Sequence, residues 1–545
     1  MADRGAEPVP IEQFVAKLAN LDIKLWLDGD QLRCNAPNDV LTPQLQARLV
    51  ERKADLHAFL GRASGSQNGR ELVPVARDRD IPLSHSQERI WSLSAMRPGT
   101  SVYNKTVTYR LAGALDTLAL ERSLNALERR HEILRTSFPA NGQKPRQNIA
   151  PAAPRALPVT DVRRDLLKLG AEAGDKLIGQ FLLSEAERPF DLKRGPLWRT
   201  RLVRRSPEEH IFSYTMHHII FDGFSNDVFL SELSTLYRAY CAGEAPALDD
   251  LPVQFADFAV WSRDRLSSEI DQRQFAFWKE RLGGAVTPLR LPTDHPRVDS
   301  AIQKGMNRPF DFPDQLAREV RSLSRGAKVS LFVILQAAFG VMLNRYSGQE
   351  DMIVCSPLAA RDRAELEHLI GYFSNIVAIR IDLSGDPSFS ELLGRVRRAV
   401  LDAHDNQNLP LQRLAELPNL ARVPLNRGMF CYQDVSSRTI EFPGIAATPM
   451  NLRVGEADVE LAIYIEGTSG GAISGLIDYR ADLFEAGTIS RLLADYLAIL
   501  ERLTADPDLP LSRLARLGGG PGEIVAALQD HPRIDQAVIA DRPPG

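Results

Sequence analysis

A polar, glycine- and serine-rich run, Gly61-Arg62-Ala63-Ser64-Gly65-Ser66-Gln67-Asn68-Gly69, interrupts the chain between two patterned stretches of very unequal length. Such a run behaves as a flexible linker, so the two sides fold around separate cores. The 545 residues also exceed what one hydrophobic core usually holds. We divide the sequence into a small unit at 1–60, a linker at 61–77, two large units at 78–253 and 254–515, and a tail at 516–545.

In the small unit, Ile11, Phe14, Val15, Leu18 and Leu21 recur at helical spacing. Ile23, Leu25 and Leu27 then alternate with Lys24 and Trp26, Asp28-Gly29 marks a turn, and Gln31-Leu32-Arg33-Cys34-Asn35 alternates again, which predicts a β-hairpin. Thr42-Pro43 opens a further helix as N-cap and first-turn proline, continued by Leu45, Leu49, Ala54, Leu56 and Leu60. So small a core suits binding better than catalysis. The Ile23–Leu27 strand, its turn, Leu32-Arg33, Ala36-Pro37 and Leu41-Thr42-Pro43 resemble the TubC-like N-terminal docking domains of modular synthetases. The resemblance implies an upstream acyl or peptidyl carrier protein as partner, whose tail adds as a strand beside the hairpin. Lys24, Trp26 and Arg33 are the candidate docking residues, the two cations selecting acidic tails.

Composition closes several other routes. The 66 Lys and Arg against 70 Asp and Glu leave a net charge of −4, which argues against a nucleic-acid binder working through bulk charge. The N-terminus lacks a basic segment followed by an apolar core, and no apolar run is long enough to span a membrane. Cys34, Cys241, Cys355 and Cys431 are widely spaced, without CxxC pairing, which fits a reducing cytoplasm and excludes a paired-cysteine zinc site. Gly518-Gly519-Gly520 lacks the Lys-Ser/Thr of a phosphate-binding loop, so neither a metal nor a bound cofactor is expected.

The strongest local signal is His217-His218-Ile219-Ile220-Phe221-Asp222-Gly223, entered through the apolar strand Ile211-Phe212-Ser213-Tyr214. Neighbouring side chains on a strand point to opposite faces, so the two histidines serve different surroundings, one structural and one chemical. Histidine is the usual proton carrier near neutral pH, and Asp222 is placed to orient the turn through an ion pair. The HExxH metal pattern is absent. On these residues alone, a structural role for the pair stays open.

The run also matches the HHxxxDG motif of nonribosomal peptide synthetase condensation domains, and further blocks of that family follow in order. Leu83–Trp91 resembles the opening block, Arg130–Phe138 the second, Phe255–Trp261 the fourth and Ile370–Asn375 the fifth, with fainter echoes at Asn406–Pro410 and Arg422–Leu425. The resemblance implies a mixed α/β (α+β) fold: two chloramphenicol-acetyltransferase-like lobes in a V around a central tunnel, preceded by the α/β-hairpin docking domain. Carrier proteins would bring thioester-bound substrates into the tunnel on phosphopantetheine arms. Carried over residue by residue, His218 is the active-site histidine, His217 its structural neighbour, and Asp222 a salt-bridge residue paired with Arg361. Gly223 leaves room for substrate and Asn375 supports the site. Phe255 stands where the family usually has Tyr, and Val423 where it has Asn.

The activity so implied is acyl transfer from a carrier-bound thioester to an amine on an acceptor carrier or a free acceptor, forming an amide. A hydroxyl acceptor giving an ester, and a non-catalytic adaptor that only recruits carriers, are the alternatives. Heterocyclisation relatives carry DxxxxD in place of the two histidines. Residues Gly522–Pro532 and Ile534–Ile539 resemble one helix and strand of the small subdomain of adenylation domains, without its ATP-binding parts.

Overall fold

The computed structural model describes residues 11, 23–28, 31–35, 43–57 and 71–514, with short breaks at 142–143, 266–267, 284–287, 298–303, 362, 415, 418–419, 421–424, 436–439, 451–456, 458 and 469–470. The helix expected from Ile11 to Leu21 (beyond Ile11 itself), the Thr42 cap, the linker run, the echo at Arg422-Val423-Pro424 and the adenylation-like tail fall outside the described residues.

The hairpin is present. Strands β1 (Lys24–Asp28) and β2 (Gln31–Asn35) pair antiparallel, with Trp26 opposite Arg33 and Lys24 opposite Asn35. The side chains of Lys24, Trp26 and Arg33 are outside the described set. Helix α1 (Pro43–Glu51) starts at the expected proline, and Ile23, Leu49 and Leu56 form a small core packed by Leu25, Leu32 and Leu45.

The elements of the large region that matter for the site run, in chain order, α2 (His85–Met96), β3 (Asn104–Ala112), β4 (Val159–Asp161), α3 (Ala171–Glu187), β5 (Trp198–Ser206), β6 (Glu209–His217), α4 (Gly223–Ala242), α5 (Phe255–Arg265) and β7 (Gly305–Asp311). After these come α6 (Asp314–Ala327), α7 (Leu331–Ser347), β8 (Asp351–Leu358), β9 (Asn375–Asp382), β10 (Gly428–Val435), β11 (Ala446–Met450), β12 (Leu461–Thr468), β13 (Ile473–Arg480) and α8 (Ala486–Ala505).

Two sheets organise this region. The first has the order β11-β3-β6-β5-β4, with β6 at its centre. Every β6 residue from His210 to His217 is buried, because the strand is covered on both faces. Phe212, Tyr214 and Met216 join the large core with Leu124 and Phe229, while Ile211 packs with Ile178, Leu182 and Val203 beneath α3. The second sheet, β7-β13-β12-β10-β8-β9, buries one face against α6, α7 and α8 through Ile334, Phe339, Phe430, Ile463, Ile477 and Tyr496. The apolar helix α7 is the centre of that core; among the described residues no single helix is long and apolar enough to cross a membrane.

Packing does not follow a single cut at 253/254. Phe255, Phe258 and Trp261 of α5, and Leu366–Phe373, belong to the first core. Strand β11 adds to the edge of the first sheet, from Ala446 opposite Ala112 to Met450 opposite Thr108. The exchange has a plain cause: the apolar face of α5 stacks on Phe373 and not on the second sheet, with Phe255 and Phe258 at 4.9 and 4.6 Å between ring centroids.

Candidate active site

Strand β6 ends at His217, and the chain turns through the short helical turn His218–Ile220 into α4. The two imidazoles part company, His217 as the last residue of the strand and His218 as the first of the turn. His217 is 4% exposed, lies against Tyr103 and Phe190, and accepts from the Ile219 N–H at Nδ1 (3.2 Å). His218 is half-buried and tilts against Tyr372, with ring centroids 4.8 Å apart. Its Nδ1 lies 2.5 Å from the Phe221 carbonyl oxygen. A carbonyl only accepts, so this contact assigns the proton to Nδ1 and leaves the Nε2 lone pair of the neutral ring unused. Burial pushes both histidines down to about 3, aided at His218 by Lys105 and at His217 by His218. At neutral pH His218 is therefore a neutral ring, with a free Nε2 lone pair whose basicity burial weakens.

Asp222 caps α4. Its Oδ1 accepts from the Ser225 N–H (2.8 Å), and its Oδ2 from the Phe373 N–H (3.0 Å). Arg361 donates from Nη2 to Asp222 Oδ1 (3.3 Å) and Ser225 Oγ (3.0 Å), and from Nη1 to the carbonyls of Leu366 (2.5 Å) and Leu369 (2.8 Å). Its guanidinium also lies 3.9 Å from the centre of the Phe373 ring. Both charged side chains are almost fully buried, at 3% and 2% exposure. Burial alone would raise Asp222, but Arg361 and the hydrogen bonds from Ser225 and Phe373 outweigh it and hold its pKa below the usual carboxylate value.

Ser225 was not singled out in the sequence, although its place three residues after a helix-capping Asp is the available signal. Its hydroxyl accepts from the Gly371 N–H (3.0 Å) and lies 2.7 Å from both Asp222 Oδ1 and the Gly371 carbonyl oxygen, so it joins the helix start to the fifth block. Gly371 is required where it stands, since a Cβ there would fall 1.9 Å from the Phe255 ring. From the opening block, Ser84 and Gln87 form a capping box on α2, and Gln87 Nε2 donates to the Ile219 carbonyl (3.1 Å), fixing the turn that holds His218. From the second, Arg130 and His131 clasp Glu232 on α4 at 2.9 and 2.7 Å.

Gly223 meets the second sheet. A Cβ at this position would lie 2.5 Å from Gln433 Nε2 on β10, so the absent side chain permits the close approach. Asn375 acts elsewhere: its amide nitrogen donates to the carbonyls of Gln407 and Leu409, tying β9 to that loop and not to Asp222. A cavity of about 440 Å³ beside Arg77, Glu132, Arg135 and Arg146 shares no lining residue with His218. Among the described residues no cluster of His, Cys, Asp and Glu fits a metal ion, and Cys241, Cys355 and Cys431 are free thiols.

Residues 77–518 match the condensation domain family, and residues 11–61 match the TubC N-terminal docking domain. The chain belongs to the condensation domain family of nonribosomal peptide synthetases. Its condensation domain is 39% identical over 450 residues to a linear gramicidin synthase of Brevibacillus parabrevis, covering 81% of this chain but only 6% of that protein. Among solved structures it is similar to the X-domain from teicoplanin biosynthesis, with 30% identity, a TM-score of 0.71, and coverage of 81% of this chain and 99% of that one. The first condensation domain of the calcium-dependent antibiotic synthetase shares the fold at a TM-score of 0.69 and 19% identity, covering 80% of this chain and 98% of that chain.

Proposed function

We propose that this condensation domain joins a carrier-bound acyl thioester to an amine acceptor, with His218 at the reacting centre and the docking domain recruiting the upstream carrier. The observation that carries the reading is the His218 ring: neutral, locked through Nδ1, half-buried, and with no hydrogen bond at Nε2 among the described residues. Phosphopantetheine arms would bring both substrates between two lobes set in a V. Holding them there replaces a bimolecular encounter with an intramolecular one, which supplies up to about 7–11 kcal/mol of the barrier. The amine nitrogen attacks the thioester carbonyl, Nε2 takes a proton from the nitrogen as the C–N bond forms, and that proton passes to the departing thiolate as the C–S bond breaks. Asp222 and Arg361 stay outside the chemistry and hold the turn. A cytoplasmic location suits the free thiols.

The test is His218→Ala, assayed by intact mass of carriers loaded with donor and acceptor. Amide formation falls about 10²–10⁴-fold if the imidazole moves the proton; unchanged turnover sinks the reading. The likeness to an X-domain, one of which was solved in complex with OxyB from teicoplanin biosynthesis, favours a second reading as a recruiting platform. Partner binding without any acyl transfer by the unaltered protein would support that one.

A further inference from the structure

His218 is held from two sides. Its Nδ1 lies 2.5 Å from the Phe221 carbonyl oxygen, and its ring lies 4.8 Å from the Tyr372 ring, centroid to centroid, at an interplanar angle of 60°. One hydrogen bond fixes a direction in the ring plane and leaves the imidazole free to swing about it, because a carbonyl oxygen accepts over a broad range of angles. A second contact has to choose the plane. Two rings tilted at this spacing attract each other, which supplies that choice.

Tyr372 has nowhere to retreat. It is 3% exposed, and the backbone on each side of it is pinned. On one side the Gly371 N–H donates to Ser225 Oγ (3.0 Å), and the Gly371 carbonyl oxygen lies 2.7 Å from the same hydroxyl. Gly371 also sits so close to the Phe255 ring that a Cβ would fall 1.9 Å from it. On the other side the Phe373 N–H donates to Asp222 Oδ2 (3.0 Å), while the Phe373 ring meets the Arg361 guanidinium at 3.9 Å and the Phe258 ring at 4.6 Å. Both contacts on His218 therefore lead back to one carboxylate. Phe221 directly precedes Asp222, and Tyr372 directly precedes the residue whose N–H Asp222 accepts.

Resting on the condensation reading above, we propose that Tyr372 is a positioning residue: with the Phe221 carbonyl it clamps the His218 imidazole, and Asp222, Ser225 and Arg361 hold the clamp shut. The clamp keeps the proton on Nδ1 and the Nε2 lone pair in one direction. A reacting group whose rotamer is locked by its neighbours needs no reorganisation when the acceptor arrives, so Tyr372 acts on the rate of the chemical step and not on substrate affinity. The buried ion pair thereby aims a ring as well as capping a helix.

The experiment uses the full chain with isotope-labelled histidine, the His218 signals being assigned by their loss in His218→Ala. It reads the ring-nitrogen resonances of His218 together with kcat and KM for amide formation on loaded carriers. The unaltered protein and Tyr372→Phe, which keeps the ring, are expected to show one tautomer protonated at Nδ1 and kcat values within about threefold of each other. Tyr372→Leu shows nitrogen signals averaged between tautomers and loses about tenfold in kcat with KM unchanged. Ser225→Ala, which frees the Gly371 end and touches neither ring, moves the His218 signals the same way by a smaller amount, and it decides the outcome if Tyr372→Leu does not fold. A single Nδ1-protonated tautomer in every folded variant, a loss in KM alone, or a Tyr372→Phe protein that behaves as Tyr372→Leu does overturns the proposal. Averaged His218 signals in Tyr372→Leu, without amide formation even by the unaltered protein, uphold the clamp and sink the condensation reading instead.

Discussion

Asp222 at the start of α4 and Asp478 near the end of β13 are both shielded from water, yet they ionise in opposite directions. Asp222 is more deeply buried, yet its pKa is lowered, because Arg361, Ser225 and the Phe373 N–H occupy its oxygens. Asp478 keeps some exposure, yet burial raises its pKa to about 6, because Lys105 only partly offsets it and no bonded donor helps. Burial alone thus does not set the charge of a carboxylate; the partners it keeps decide. The first is held charged by its partners, and the second is pushed towards its neutral form.

The sharpest way to break this contrast is Arg361→Met, which leaves Asp222 buried without its cation. Removing one partner of such a pair costs about 3–5 kcal/mol, read as a lowered urea midpoint and loss of the α4 start. Asp478→Asn has the opposite sign. A carboxyl raised in the folded state favours the fold when protonated, and that advantage disappears as pH rises from about 4 towards 6. The neutral Asn therefore stabilises the protein at pH 7 by about 1.5 kcal/mol, a figure halved for water access, and leaves stability unchanged near pH 3. The histidines add a second pH term. Their lowered pKa values give stability that is complete above about 6.5 and is lost as pH falls towards 3, so the urea midpoint drops through that window. The smallest effect is Ser84→Ala, which removes the α2 cap at a cost of about 1 kcal/mol and loosens Gln87 from the Ile219 carbonyl.

Much of the site near His218 was legible in the sequence, for local reasons. Strand alternation predicts that the two histidines face different surroundings, and they do, although His218 lies in the turn after β6 and not on the strand. The Asp222–Arg361 pair came from the family motif, since 139 residues separate the partners and no spacing rule reaches that far. What escaped depends on which strands become neighbours. Asp478 lies in Ile473–Arg480, an alternating strand whose polar positions read as an ordinary solvent face; the strand order β13-β12-β10 that shields it from water is not visible in the sequence. Asn375 closes the block whose Phe373 N–H bonds Asp222, yet its own amide serves the loop at 407–409. The exchange of α5 and β11 into the first core was equally hidden, because helix and strand periodicity reveal which face is apolar but not what will cover it.

Strand β11 has a consequence for how such proteins can be recombined. A chimera cut at 253/254 would inherit its first sheet from one parent and that sheet's outer strand from the other, with five register pairs from Ala446–Met450 forced onto a foreign edge. The heritable unit is discontinuous in sequence: the segment from Phe442 to Met450 travels with the first sheet, and grafts that ignore this would fail at a seam far from any substrate.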